Sequence, residues 1–260
     1  MTQYMAAIWK CRYFWLSLVQ MDLRSRYRRS LLGLGWSLLH PIAMTAVLCL
    51  VFPRIFLNVD VRTYAPMVLV GLCFWSFVTS STLLGSQCLF QGERYIRQFP
   101  APMAIYPLRI VLGSSFHFAM ALLVVLVLRF GMIGFSGVSS FISLVPTFLL
   151  MFILGWSLAL LSGFVTAYFP DMQHLAEVGL QILFYATPII YPANTIEGKL
   201  GWMINCNPLT AFIGLLRAPL LNGQFPSLGH YVAALISTTV IAGAATFTLV
   251  RLQNKIIFQL

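Results

Sequence analysis

Four arginines supply the most concentrated chemistry in this sequence. Arg24, Arg26, Arg28 and Arg29 follow Asp22 and stand directly before an uncharged run from Ser30 to Pro53. Cations packed against a membrane-length apolar segment anchor a helix at a water–lipid boundary and set which side the preceding chain occupies. Other reactive constellations are missing. The lysines are Lys10, Lys199 and Lys255, and none lies in a glycine-rich loop before Ser or Thr, so no Walker-type ATP site is encoded. The acids Asp22, Asp60, Glu93, Asp171, Glu177 and Glu197 all avoid the middle of the apolar runs, which argues against an ion-coupled carrier. No Ser/His/Asp set or carboxylate pair can be assembled on one side of a membrane, so hydrolase or glycosyltransferase chemistry lacks its groups. His117 is the one titratable residue clearly inside an apolar run, open equally to hydrogen bonding with a serine and to proton relay. His40, beside Pro41, reads as a packing residue at a helix kink. Cys11, Cys49, Cys73, Cys88 and Cys206 form no CxxC pair or Cys/His cluster, and no metal site is expected.

The composition says what kind of elements must hold these residues. The chain is 60% hydrophobic and 8% charged, where soluble domains carry about 25% charged residues. A polytopic membrane protein follows. The net charge of +10 sits at the ends of apolar runs, the pattern of membrane topology, and no nucleic-acid partner is expected. A helix needs about 20 apolar residues to cross ~30 Å of hydrocarbon. The uncharged runs predict six crossings, at 30–53, 63–87, 108–129, 141–169, 174–192 and 230–250. Eleven of the sixteen Lys and Arg fall on the N-terminal segment, the loops around 91–109 and 170–177, and the C-terminus. The positive-inside rule therefore predicts cytoplasmic termini. The first thirty residues lack the pattern of a cleavable signal peptide.

The expected fold is an all-α integral membrane protein with one transmembrane domain over 1–260. Residues 1–29 carry an apolar stripe through Ile8, Trp9, Phe14, Trp15 and Leu18, which predicts an amphipathic helix in the interface. Residues 91–102 mix charge and aromatics with Pro100 and Pro102, which predicts a short helix parallel to the membrane, ended by Pro100. Residues 193–229 contain the apolar piece Leu209 to Leu221, too short to span and broken by Arg217 and Pro219, which predicts a re-entrant segment on the outer side. No GxxxG pair marks an oligomer face.

The residues from Asp22 to Pro41, Asp22-Leu-Arg-Ser-Arg-Tyr-Arg-Arg-Ser-Leu-Leu-Gly-Leu-Gly-Trp-Ser-Leu-Leu-His-Pro41, resemble the opening of the type-2 ABC exporter permeases. The family pattern reads roughly D-L-K-x-R-Y-x-x-S-x-L-G-x-x-W-x-x-L-x-P. The likeness is strongest to subunits that export O-antigen, teichoic acid or capsular polysaccharide. Three further stretches match in order: Phe169-Pro-Asp171-Met-Gln-His-Leu175, Thr187-Pro-Ile-Ile-Tyr-Pro192, and Asn207-Pro-Leu-Thr210 continuing through Arg217 to Leu220-Leu-Asn-Gly223. Pro170 departs from the pattern, where relatives commonly carry Arg before the Asp.

The resemblance implies a homodimeric bacterial inner-membrane permease, itself no enzyme, paired with two separate ABC ATPase subunits that bind ATP and Mg. No cofactor is implied for this chain. It implies a polysaccharide carried on a polyprenyl pyrophosphate lipid and led through a channel at the dimer interface, among membrane lipids. Aromatic rings suit sugar faces, so Phe74, Trp75, Phe77, Tyr185 and Tyr191, with Asn207 and Arg217, are channel candidates. Glu93, Arg94, Tyr95 and Arg97 are candidates for docking on the ATPases. Guanidinium forks bind phosphate oxygens bidentately, so Arg24, Arg26, Arg28 and Arg29, with Tyr27, are candidates to meet the pyrophosphate. Arg24 and Arg28 would share a helix face. Anchoring alone is the other role open to them, worth about 1 kcal/mol per basic residue near anionic lipid. A same-fold permease for a small lipid or drug, and a membrane enzyme of envelope-glycan synthesis, are the alternative readings.

Overall fold

A computed structural model of the chain describes residues 2–28, 35–55, 60–99, 101–132, 134, 138–191, 207–253 and 255–256. Nine α-helices and no strand occur among them: α1 Thr2–Lys10, α2 Arg12–Tyr27, α3 Gly35–Ile55, α4 Val61–Gln98, α5 Ile105–Met132, α6 Leu144–Tyr168, α7 Met172–Ala186, α8 Pro208–Arg217 and α9 Leu228–Leu252. A 3-10 turn, Val138–Ser143, leads into α6, and a π turn, Ala218–Asn222, follows α8.

The boundaries follow from local chemistry. Asp60 caps α4 by accepting from the Arg62 amide, and Phe99, held extended before Pro100, ends it. Asn207 caps α8 by accepting from the Leu209 amide, with Pro208 pre-set for the first turn. Ser227 caps α9. Gly223 takes the left-handed conformation, φ 63°, that stops the π turn. Inside the apolar helices, hydroxyls turn back on their own backbone. Thr45, Thr82, Thr147, Ser157 and Thr238 each donate to the carbonyl four residues earlier. Such bonds satisfy a polar group where no water reaches.

Contacts fix the direction of each helix. One apolar cluster joins Ile8 of α1, Leu89 and Ile96 of α4, Ile105 of α5, Phe164 of α6, Leu249 of α9, and Ile256. A second joins Val68 and Phe74 of α4, Val125 of α5, Leu144 of α6, Phe212 of α8 and Ala234 of α9. Both ends of the chain thus lie at the first, terminal end of the bundle. Helices α4, α6 and α9 run toward it, and α5 runs away. Helix α3 also runs away, because Phe52 stacks on Tyr64 at 6.1 Å. So does α7: Gln87 donates to Gln173 near its start, and Tyr64 donates to the Ile190 carbonyl beyond its end. Helices α4 and α6 meet through bare backbone at Gly85, where an added Cβ would stand 2.5 Å from Ala159 Cα.

Among the described residues, four stretches are long and apolar enough to cross a membrane: Val61–Gln98, Ile105–Gly131, Ser139–Tyr168 and Leu228–Leu252. They match the expected 63–87, 108–129, 141–169 and 230–250 runs. The other two expected crossings are shorter helices here. The apolar part of α3 is Leu38–Phe52, and α7 has 15 residues where 174–192 was expected to span. Two further expectations are corrected. Residues 91–98 are no separate surface helix but the unbroken end of α4, whose 38 residues extend about 57 Å at ~1.5 Å each, well past ~30 Å of hydrocarbon. The N-terminal segment is two helices hinged at Cys11 rather than one.

Candidate functional site

The protruding end of α4 meets the N-terminal helices. Phe14 lies 6.1 Å from the Tyr95 ring and 5.3 Å from Phe99. The Tyr95 hydroxyl reaches the Met21 sulfur at 3.8 Å. Tyr4 accepts from the Ala104 amide at 3.2 Å, and burial pushes its phenol above the ordinary value. Glu93 and Arg97 pair at 2.9 Å, exposed on the outer side of the same helix, and Arg94 is exposed beside them. Of the four docking candidates, Tyr95 therefore clasps α2, while Glu93, Arg94 and Arg97 present charge outward.

The arginine cluster is not one surface. Helix α2 ends at Tyr27 and Arg28 is already extended, ψ 129°, so Arg24 and Arg28 do not share a helix face as expected. Arg24, Arg26 and Arg28 are all exposed, so exposure does not separate them. Arg29 and the Tyr27 side chain lie outside the described residues. Arg26 instead points with Asp22, one turn earlier, into a cleft of about 320 Å³ between α2, α4 and α5. Leu84 and Gln91 of α4 and Arg109, Ser114 and His117 of α5 complete its wall. Arg109 is 4% exposed and its Nε stands 3.0 Å from Asp22 Oδ2. Burial pushes the Asp22 carboxyl above its ordinary value, and the guanidinium beside it offsets part of that rise. A smaller cavity of about 50 Å³ continues inward from Arg26, Ser114 and His117 to Ser76 and Ser80.

Ser76 and Ser80 also face a third space, a groove of about 430 Å³ between α3, α4 and α7. His40 of α3, Trp75 and Thr79 of α4, and Glu177, Gln181, Phe184 and Tyr185 of α7 line it. Trp75 meets Phe184 edge-on at 5.5 Å, and Phe184 meets Tyr185 at 5.3 Å. Tyr185 is 64% exposed, and α7 has no buried residue at all. The Thr79 hydroxyl is buried with no hydrogen-bond partner among the described residues. Such a wall offers apolar ring faces and hydroxyl, amide and carboxylate groups together, the mixture that polar, ring-shaped ligands require. A side-chain string runs alongside: Gln91 donates to Gln87 at 3.3 Å, Gln87 to Gln173 at 3.1 Å, and Gln173 to Glu177 at 3.4 Å.

Of the channel candidates, Trp75 and Tyr185 line this groove, and Tyr191 braces it by donating to the Tyr185 carbonyl at 3.0 Å. Phe74 and Phe77 do not. They are core residues, fully or nearly fully buried against Phe212 and Phe118. Asn207 and Arg217 are structural anchors of α8. Asn207 donates to Thr187 Oγ1 at 2.8 Å, and Arg217 Nη2 donates to the carbonyls of Ile189 at 2.8 Å and Met67 at 3.3 Å. Sequence reasoning missed the polar stripe of α4. Ser76, Ser80, Gln87 and Gln91 recur at helical spacing through a run that also holds Thr79, Ser81, Thr82 and Ser86, a signal present in the sequence. It also missed Arg109, counted only as a topology charge. No group of three metal-ligating side chains occurs among the described residues.

A bundle of long apolar helices with a polar-lined groove and a charged end has the build of a multi-pass membrane protein. The chain belongs to the ABC-2 type transporter family, whose pattern it matches over residues 13–221. It is 25% identical over 221 residues to the O-antigen export system permease protein RfbA of Klebsiella pneumoniae, covering 85% of this chain and 84% of that one. A protein of the same name from Myxococcus xanthus is 26% identical over 243 residues, 92% of each chain. The polysialic acid transport protein KpsM of Escherichia coli is 24% identical over 231 residues, 87% of this chain and 89% of that one.

Proposed function

We propose that the chain is the membrane subunit of an ATP-driven exporter that moves a lipid-linked polysaccharide across the bacterial inner membrane. Two copies form the channel, and each contributes the groove of Trp75, Thr79, Gln181, Phe184 and Tyr185. The observation that carries this reading is the conjunction of full-length similarity to polysaccharide export permeases with an aromatic, hydroxyl-lined groove open along α7. The alternating directions of α3, α4, α5, α6, α7 and α9 support six crossings with both termini on the cytoplasmic side. The burial of α8 against α4 and α9 supports a re-entrant segment on the outer side. Helix α7 reaches through the bilayer with its following turn to Tyr191 as part of that crossing.

The chain encodes no ATP site of its own, so two ABC ATPase subunits bind ATP and Mg and close beneath it. The protruding α4 end, with Glu93, Arg94 and Arg97, and the α1–α2 pair are the docking surface. Arg24 and Arg28 hold α2 at the anionic interface. The test is deletion and complementation in the source bacterium. Loss of surface polysaccharide on deletion, rescue by the intact gene, and weakened rescue by Trp75→Ala with Tyr185→Ala at unchanged membrane abundance are expected. Full surface polysaccharide in the deletion strain would reject export as the function. Pull-down of the tagged chain should bring an ATPase in equal amount.

A further inference from the structure

We infer that the cleft between α2, α4 and α5 is a phosphate-binding site centred on Arg109 and Arg26, with Asp22 as the internal counter-ion that a phosphate group displaces. The inference rests on the reading above only for the identity of the amphiphile. Its geometry is independent. Arg109 is nearly fully buried, yet among the described residues its Nη1 has no hydrogen-bond partner. Its Nε stands 3.0 Å from Asp22 Oδ2 without a well-directed hydrogen bond. A buried guanidinium whose N–H groups are this poorly used is costly by itself. It becomes favourable when a tetrahedral oxyanion supplies several acceptors at once. The cleft beside it holds about 320 Å³, room for roughly ten waters at ~30 Å³ each and hence for a diphosphate.

The charged groups around the cleft sum to a positive charge. Arg26 and Asp22 come from α2, neutral Gln91 and Leu84 from α4, and Arg109, Ser114 and His117 from α5. With the imidazole neutral, two cations face one anion, so the site has a net charge of +1 and hydroxyl and amide donors around it. At Gly113 on the same wall, an added Cβ would meet nothing within 4 Å, leaving α5 open toward the cleft. The cleft lies at the level of the amphipathic helix α2, where a lipid headgroup would stand while its tail stays in the bilayer. From it the small cavity past Ser114 and His117 leads to Ser76 and Ser80 of the groove. A headgroup held at Arg109 would therefore place whatever it carries at the mouth of that groove. Asp22 competes for the same guanidinium, so the site is closed by its own carboxylate until a better anion arrives.

The experiment uses the purified full-length protein in nanodiscs. Binding is measured by tryptophan fluorescence with farnesyl diphosphate, farnesol and inorganic pyrophosphate as probes. Farnesyl diphosphate is expected to bind and farnesol not. Arg26→Gln and Arg109→Gln should each weaken binding roughly tenfold or more, whereas exposed Arg24→Gln should leave it unchanged. Asp22→Asn should tighten binding about threefold by removing the competitor, a result a merely structural ion pair would not give. Equal competition by inorganic pyrophosphate assigns the site to the free anion. Competition only by the amphiphile assigns it to a lipid headgroup. If Arg109→Gln does not fold, the Arg26→Gln and Asp22→Asn results decide alone. Equal weakening by Arg24→Gln and Arg26→Gln, or looser binding in Asp22→Asn, would overturn the proposal. Failure of this site with surface polysaccharide lost on deletion leaves the export reading standing. Selective binding with surface polysaccharide intact leaves the site standing and removes that reading.

Discussion

The contact between α4 and α6 gives the sharpest quantitative expectation. A methyl group added in Gly85→Ala would stand 2.5 Å from Ala159 Cα, 2.8 Å from its Cβ and 3.0 Å from Ser162 Oγ. Ordinary contacts lie at 3.4–4 Å. The nearest atom is backbone and cannot rotate aside, so the helices must part by about 1 Å through a close-packed interface. Such overpacking costs about 1–3 kcal/mol. Alanine returns ~0.5–1 kcal/mol of helix preference relative to glycine, leaving a net loss between about 0 and 2.5 kcal/mol. Gly243→Ala in α9 is the internal control, because an added Cβ there meets nothing within 4 Å. It should gain up to ~1 kcal/mol. Thermal or denaturant unfolding of both variants in one detergent measures the difference. A Gly85→Ala protein as stable as Gly243→Ala would refute the reasoning, since it would mean that α4 and α6 do not meet through bare backbone at this point.

Arg217→Met should destabilise by roughly 2–6 kcal/mol, because the Met67 and Ile189 carbonyls each lose a donor at ~1–3 kcal/mol apiece. Arg217→Lys, which keeps a charged donor, should recover at least half, and equal unfolding midpoints for wild type and Arg217→Met would count against the anchor. Phe14→Ala removes two ring contacts worth about 0.5–1.5 kcal/mol each. Hydrogen exchange over residues 12–27 should quicken in that variant, while unchanged protection would show that Tyr95 and Phe99 do not hold α2. The Asp22 carboxyl sits above its ordinary 3.8 because of burial, so the folded state holds that proton more firmly than the unfolded chain. Its contribution to stability should therefore fall as pH rises from about 4 through the raised value. Comparing wild type with Asp22→Asn by thermal shift across pH 3–7 reads the slope, and a rise with pH would mean that Arg109 outweighs burial.

Much of the fold was legible because lipid imposes a simple rule. Every backbone polar group in hydrocarbon must be bonded internally, so a long uncharged run is a helix. That rule located α5, α6, α9 and the start of α4 within a few residues. It misjudged 91–102 because charge on Glu93, Arg94 and Arg97 was read as a break, whereas a helix that leaves the bilayer can carry charge without ending. It overestimated α7 because the apolar residues beyond Ala186 form a turn pinned by Thr187 and Asn207. Aromatic type alone did not separate groove from core. Phe74 and Trp75 are neighbours in sequence, but successive helix positions differ by about 100°, so one packs on Phe212 and the other faces Phe184.

The class of protein is written in local and statistical features of the chain. Its hydrophobicity, the placement of its charges, the absence of an ATP motif and four ordered motifs all act locally or statistically, and none needs a tertiary contact to be read. Which side chains share a space depends on how the helices pack. Asp22 and Arg109 are 87 positions apart in the chain, and no periodicity links them. They meet because Ile8, Ile96 and Ile105 bury α1 and the start of α5 in one apolar cluster and so bring α2 across the cleft. The same folding divides the arginine cluster: Arg24, Arg26 and Arg28 are all exposed, but of the three Arg26 alone lines the cleft beside the buried Arg109.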